Sequence, residues 1–244
     1  MKIIKSLVEK FYISSNYNFV CNPIFSHAFD LFKPNYAYKF APDWFEKLDK
    51  TLPHRSEHDV LLQMSTVRHC PAIKSSLSSG FIIPLWTDIS IRIDKDFFGF
   101  QCADGMTQIR SHPRVQFQNF YNDFHHAKII SPWQIVQNKS TEIFWTAPFY
   151  FHNRPTDWIV LPGHRRFDLN NETHINLFFP IKESPYDVFM SAGTPLVHLI
   201  PLTEEFAKLK VNLAESEDSF NLQKPNLPFF TNSYTKRYKI KTKI

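Results

Sequence analysis

The chain has 244 residues, 43% of them hydrophobic and 16% aromatic, which is enough apolar surface for one sizeable core and excludes an intrinsically disordered chain. Five lysines and arginines in the last nine residues equal the whole net charge of +5, so a distributed basic surface for nucleic acid is not indicated. The five glycines do not form the patterns that hold nucleotide phosphates, which excludes the common nucleotide-binding folds.

The first part of the chain, residues 1–79, predicts loops and short helices that pack on a core. The opening segment MKIIKSLVEKFYISSNY contains too short an apolar run for a secretory signal. In APDWFEKLDKTL, residues 41–52, a proline and an aspartate precede the apolar positions, which predicts a three-turn amphipathic helix. A second short helix is predicted over residues 71–77, closed by Gly80.

The middle of the chain, residues 80–203, predicts a β core. GFIIPLWTDISIRID contains Ile89, Ile91 and Ile93 separated by polar residues, and further aromatic-rich segments follow at intervals of roughly ten residues. We therefore predict a mainly β fold, jelly-roll-like or β-clip-like, built as a sandwich or barrel. No linker marks a second domain, so residues 1–244 are predicted to form a single domain.

The last part, residues 204–244, predicts an extended strap around this core. TEEFAKLKVNL predicts a helical turn or a loop, and NLQKPNLPFF predicts extended chain punctuated by prolines. In YKIKTKI the lysines alternate with uncharged residues, which predicts an edge strand with one lysine-covered face. Contact with an anionic partner and a frayed tail are the alternatives for this segment.

Cysteine usage and hydropathy indicate the setting of the protein. Cys21, Cys70 and Cys102 are widely spaced, odd in number and without CxxC or metal-finger spacing, which favours a reducing, intracellular setting. No segment approaches the roughly 18 apolar residues that a membrane span needs. We therefore predict a soluble protein with no membrane partner that is not secreted through a signal peptide.

Six segments carry a resemblance to a family. They are spread over residues 41–239: APDWFEKLDK, TVRHCPAIKSSLSSGFIIPLWTDISI, KIISPWQIVQNKS, INLFFPI, AGTPLVHLIPL and FFTNSYTKRYK. In their order and spacing they resemble an uncharacterised family of hypothetical proteins encoded by tailed phages and other marine viruses. The resemblance implies a viral origin, a compact β-rich protein and a location in the host cytoplasm or the virion. It implies no activity.

The segment LPGHRRFDLNNETHINLFFPIKESPYDVFMSAGTPLVHLIPL is also similar, in part, to the later strands of trimeric dUTP pyrophosphatases. A proline-glycine turn, Asp168, an apolar strand and the strand that follows Gly193 provide this likeness. His198 stands where those enzymes have a glutamine, no tyrosine follows Asp168, and the serine-glycine phosphate motif and glycine-rich tail are missing. The likeness implies a similar strand order and argues against nucleotide hydrolysis.

Histidines and carboxylates in the β core raise the hypothesis of a metal site. Two histidines and a carboxylate on facing strands form the ligand set of a non-haem Fe(II) centre. The adjacent His125 and His126 cannot chelate one ion, because neighbours on a strand point to opposite faces. His198, in the apolar run PLVHLIPL, is also typical of a buried histidine with one hydrogen bond. The candidate ligands are His152, Asp157, His164, Asp168, His174 and His198.

Aromatic residues raise a second hypothesis, a binding surface. IFWTAPFYFHNRPTDW is dense in aromatic side chains, and alternate ones must face out of a sheet unless the N-terminal region or a partner covers them. Residues 112–126 add further aromatic groups, but they carry too few cations to favour binding of single-stranded nucleic acid. The predicted binding residues are Phe144, Trp145, Tyr150, Arg154 and Trp158.

The function that the sequence favours is a virus-encoded protein with a non-enzymatic binding or assembly role and no cofactor. Its partner at the aromatic surface is a protein, a small ligand or a second copy of the chain. The alternative is a cupin-like, non-haem metal-dependent enzyme of the oxygenase type, with iron or another divalent metal. The sequence leaves open whether the protein is an enzyme.

Overall fold

The fold is given by a computed structural model that describes residues 14–55, 57–58, 61–117, 120–153 and 156–222. Within these ranges seventeen strands form five sheets. The strands are β1 (Ser14–Cys21), β2 (Asn35–Tyr36), β3 (Thr51–Arg55), β4 (Leu61–Ser65), β5 (Phe81–Pro84), β6 (Ile89–Ile93), β7 (Phe98–Cys102), β8 (Ile109–His112), β9 (Phe124–Ile129), β10 (Trp133–Gln137), β11 (Ile143–Thr146), β12 (Ile159–Val160), β13 (Gly163–Arg165), β14 (Ile175–Pro180), β15 (Tyr186–Met190), β16 (Pro195–Pro201) and β17 (Phe206–Leu213).

The helices are few and short. The α-helices are α1 (Ser26–Leu31), α2 (Asp43–Lys47), α3 (Pro71–Ser78) and α4 (Glu217–Leu222). Single 3-10 turns span Pro23–Phe25, Ala37–Phe40, Val67–His69, Arg114–Phe117 and Phe149–Phe151. In the described parts of the chain, no helix has both the length and the apolar character needed to cross a membrane.

Four of the sheets pack around one hydrophobic core. The strand orders are β10-β1-β17, β13-β11-β16-β5-β2, β12-β14-β9-β8 and β15-β6-β7, and β3 and β4 form a separate hairpin. Each of the four sheets contributes buried side chains to the core, for example Phe19, Phe81, Phe179 and Ile91. Because the sheets bury their apolar faces against one another, the predicted mainly β fold with short helices is confirmed, and its architecture is that of a sandwich.

Strand β1 lies in the centre of its sheet, although the sequence predicted loops and short helices for residues 1–79. It pairs antiparallel with β10 and parallel with β17, and its residues Tyr17, Phe19 and Cys21 are fully buried. The core therefore extends beyond the predicted residues 80–203 on both sides.

Two local predictions were wrong. The segment TEEFAKLKVNL forms β17 rather than a helical turn or loop, because its lysines alternate with apolar residues and its ladder partner β1 is distant in sequence. The helix predicted over residues 41–52 is the short α2, because the backbone turns extended at Leu48 and Thr51 opens β3. By contrast, α3 lies where the second helix was predicted.

Helix α3 covers the outer face of β5. Leu77 packs there with Ala37, Ile82 and Phe151 in a second, smaller hydrophobic cluster, so that β5 is buried on both faces. Gly80, which joins α3 to β5, has a φ of +71°, and a Cβ atom built on it would lie 2.0 Å from the carbonyl oxygen of Leu199. Only glycine permits this close approach of the backbones. Of the strap predicted over residues 204–244, residues 223–244 lie outside the described ranges.

Candidate functional site

An aromatic pocket of about 440 Å³ lies between α2, the Phe149–Phe151 turn and β12. This volume is within the range of roughly 300–1,000 Å³ that is usual for ligand pockets. The pocket is lined by Trp44, Ala147, Pro148, Phe149, Tyr150, His152, Asn153, Thr156, Trp158, Ile159 and Val160.

The 3-10 turn divides its aromatic residues between the protein interior and solvent. Phe151 is buried in the small cluster beneath α3, which anchors the turn. Phe149 is 81% exposed and Tyr150 is 39% exposed at the rim of the pocket. Such exposure of large apolar side chains beside a pocket is typical of a binding surface.

His152 is the titratable group of the aromatic pocket. Its imidazole makes an edge-to-face contact with Trp158, with ring centroids 6.0 Å apart. Burial lowers the pKa of His152, so the imidazole is neutral at neutral pH. The ring lines the pocket, where a neutral imidazole offers a ligand one donor and one acceptor.

The structure brings two of the predicted binding residues, Tyr150 and Trp158, into the aromatic pocket. Trp145 is instead buried in the main core beside Phe167, because β11 turns alternate residues inward. Phe144, on the opposite face of β11, packs against the ring of His164.

Arg154, the remaining predicted binding residue, lies outside the described residues. Trp44 lines the pocket but was not predicted to do so, because it comes from a helix distant in sequence. In the sequence, the contribution of Trp44 was indicated only by the expectation that the N-terminal region or a partner covers the aromatic surface. That region supplies Trp44 as one wall and leaves the pocket open beside it.

The six predicted metal ligands have separate surroundings. Asp157 pairs with Lys182, Asp168 with Arg166, His164 with Glu142 and His174 with Glu172, whereas His152 lies in the aromatic pocket and His198 beneath α3. Nowhere in the described ranges are three His, Cys, Asp or Glu side chains grouped so that they could hold a metal ion.

His198 is a buried residue with one hydrogen bond to the main chain. Its Nε2 lies 2.7 Å from the carbonyl oxygen of Ser79, and its ring makes an edge contact with Phe151. Burial lowers the pKa of His198, and the bond to Ser79 opposes this shift. The imidazole therefore joins β16 to the end of α3, which is a structural role.

His125 and His126 point to opposite faces of β9, as predicted from their adjacency. His125 contacts Phe98 and the carbonyl oxygen of Asp94. His126 stacks on His112 on the other face and contacts Phe117 and Phe178. Tyr121 and Phe124 pack in turn on Phe178. The aromatic residues predicted in 112–126 therefore pack mainly on one another.

No protein-family model, curated protein or solved structure matches this chain.

Proposed function

We propose that the protein has a non-enzymatic binding role, in which the aromatic pocket receives a large apolar side chain of a partner protein. The observation that carries the proposal is the combination of an apolar pocket of about 440 Å³ with a rim that exposes Phe149, Tyr150 and Ile159. Aromatic anchors in a desolvated pocket supply much of the binding energy at protein interfaces.

The position of β12 supports an extended partner segment. Ile159 and Val160 line the pocket and belong to β12, which is an edge strand of its sheet among the described residues. An edge strand offers unpaired main-chain groups to an added strand, while neighbouring pockets select its side chains. A partner segment that pairs with β12 would bring one of its side chains to the pocket.

The sequence segments that resemble phage and marine-virus proteins support a viral origin, and with it a location in the host cytoplasm or the virion. No specific feature of the described structure favours the metal-dependent alternative.

N-acetyl-phenylalaninamide, N-acetyl-leucinamide and N-acetyl-alaninamide are suitable probes of the proposed pocket. We expect the first two to cause saturable shifts of the indole N–H signals of Trp44 and Trp158 in NMR titrations, and the alanine derivative to cause none. Replacement of each tryptophan by phenylalanine assigns the two signals.

Phe149→Ala is the informative variant, with Phe120→Ala as its matched control. Phe149 is 81% exposed and lines the pocket, whereas Phe120 is 84% exposed and does not line it. We expect Phe149→Ala to lose about 1–2 kcal/mol of binding free energy, which corresponds to roughly 5- to 30-fold weaker binding of the probe. Titrations without saturation, or equal weakening in both variants, would contradict the proposal.

A further inference from the structure

A second, polar cavity of about 480 Å³ is lined in part by β8 and β9 and shares no lining residue with the aromatic pocket. It is bordered by β10, by the Pro23–Phe25 turn and by α4. Its charged side chains in the described chain are Arg110, Lys128 and Glu172, with His174 beside the last.

Arg110 and Lys128 are direct cross-strand partners in this cavity. They occupy one register position on β8 and β9, and neither forms an ion pair with a carboxylate of the described residues. Like charges placed directly opposite each other on neighbouring strands destabilise a sheet. A bound anion would offset this repulsion.

Gln134 provides an independent sign of a missing ligand. Its side chain is almost fully buried, with 1% of the residue exposed, and it borders the same cavity. The Oε1 atom accepts a hydrogen bond from Asn171 Nδ2 at 3.1 Å, which orients the amide, but the Nε2 atom donates to no group of the described structure. A buried donor without an acceptor costs roughly 1–3 kcal/mol, so a ligand acceptor would stabilise this site.

Glu172 is the one carboxylate that borders the cavity among the described residues. Its Oε2 lies 3.4 Å from His174 Nε2. The positive charge of Lys128 also acts on His112, which stacks on His126 nearby. Burial is the main cause that lowers the pKa of His112, and the charge of Lys128 is the next. The cavity is therefore cationic on its β8–β9 side.

We propose that this cavity binds a phosphate-bearing small molecule, with the phosphate group between Arg110, Lys128 and the amide of Gln134. A phosphate carries about −1.5 to −2 charges at neutral pH, which matches two cations that form no ion pair within the described chain, and its oxygens accept several hydrogen bonds at once. This site is independent of the aromatic pocket and of the function proposed for that pocket.

Isothermal titration calorimetry of the full chain with inorganic phosphate and with glycerol 3-phosphate, at constant ionic strength, tests the proposal. We expect saturable binding at one site. Tighter binding of glycerol 3-phosphate identifies a phosphate ester as the ligand class, and equal affinities identify the free ion. Acetate serves as a carboxylate control and is expected to bind at least tenfold more weakly.

Lys128→Gln is expected to weaken phosphate binding at least tenfold and, because it removes the facing like charge, to raise the melting temperature of the ligand-free protein. Lys210→Gln makes the same charge change on exposed β17 and is the matched control for both readouts. Glu172→Gln is expected to tighten binding. Absence of saturable phosphate binding, equal affinity for acetate, or equal weakening in the two lysine variants would overturn the proposal.

Discussion

His112 and His126 stack face to face across β8 and β9, with ring centroids 4.5 Å apart and ring planes inclined by 20°. Burial is the main cause that lowers the pKa of both histidines, and the charge of Lys128 acts in the same direction on each. The charge of a protonated His112 also lowers the pKa of His126. Protonation of either ring is therefore less favourable in the folded state than in the unfolded chain.

This stack predicts a stability that falls in mild acid. The unfolded chain has histidine pKa values near 6.5, whereas the folded chain holds those of His112 and His126 lower, so the unfolded state binds more protons once the pH falls through about 6.5. The free energy of unfolding is expected to decrease from about pH 7 downward, by up to about 1.4 kcal/mol per pH unit for each proton.

Urea denaturation at a series of pH values measures this slope. His126→Gln keeps a donor for Asn176 but removes one imidazole that takes up a proton in mild acid. The dependence of its unfolding free energy on pH is therefore expected to be shallower. His54→Gln changes an exposed histidine on β3 and is the control, with a slope equal to that of the unmodified protein. An unchanged slope in His126→Gln would show that the stack does not titrate as described.

The bond between His198 and Ser79 predicts a cost for removing the buried imidazole. His198→Ala leaves the carbonyl oxygen of Ser79 without its donor and opens a cavity beside Phe151, so the free energy of unfolding is expected to fall by about 3 kcal/mol. His164→Ala, at a half-exposed histidine that was also a predicted metal ligand, is expected to cost about 0.5 kcal/mol. Equal losses in thermal or urea unfolding would argue against a structural role for His198.

The approach of Gly80 to Leu199 predicts a strong response to a single methyl group. Gly80→Ala places a Cβ 2.0 Å from a main-chain oxygen, and β5 or β16 has to shift, at an expected cost above about 3 kcal/mol. Gly105 has a similar φ of +64°, but a methyl group there would meet nothing within 4 Å, so Gly105→Ala is expected to cost about 1 kcal/mol. Comparable unfolding free energies for the two variants would contradict the steric explanation.

The elements that local pattern determines were predictable from the sequence. Ile89, Ile91 and Ile93 alternate with polar residues, and they form β6 with the alternating burial that this pattern indicates. Helix α3 begins at a proline and ends before a glycine, and both signals act within a few residues. Such elements depend little on the rest of the chain.

The sites depend on partners that are distant in sequence, and local pattern does not report them. Trp44 and Trp158 line one pocket although more than a hundred residues separate them along the chain. The facing charges of Arg110 and Lys128 depend on the register of β8 and β9. The Nε2 atom of Gln134, which donates to no group of the described structure, belongs to a third strand, β10. Residue types alone suggested aromatic binding, but they did not suggest an anion site at β8 and β9.

The parallel pairing of β1 with β17 constrains how the protein forms. During synthesis β1 leaves the ribosome well before β17, the strand that protects one of its edges, because most of the described chain lies between them. Pairings of such long sequence separation are slow to form, because much of the chain has to be ordered before they contribute. Until then β1 presents an unpaired edge that is rich in apolar residues, so nascent or truncated chains are the state of this protein most exposed to aggregation.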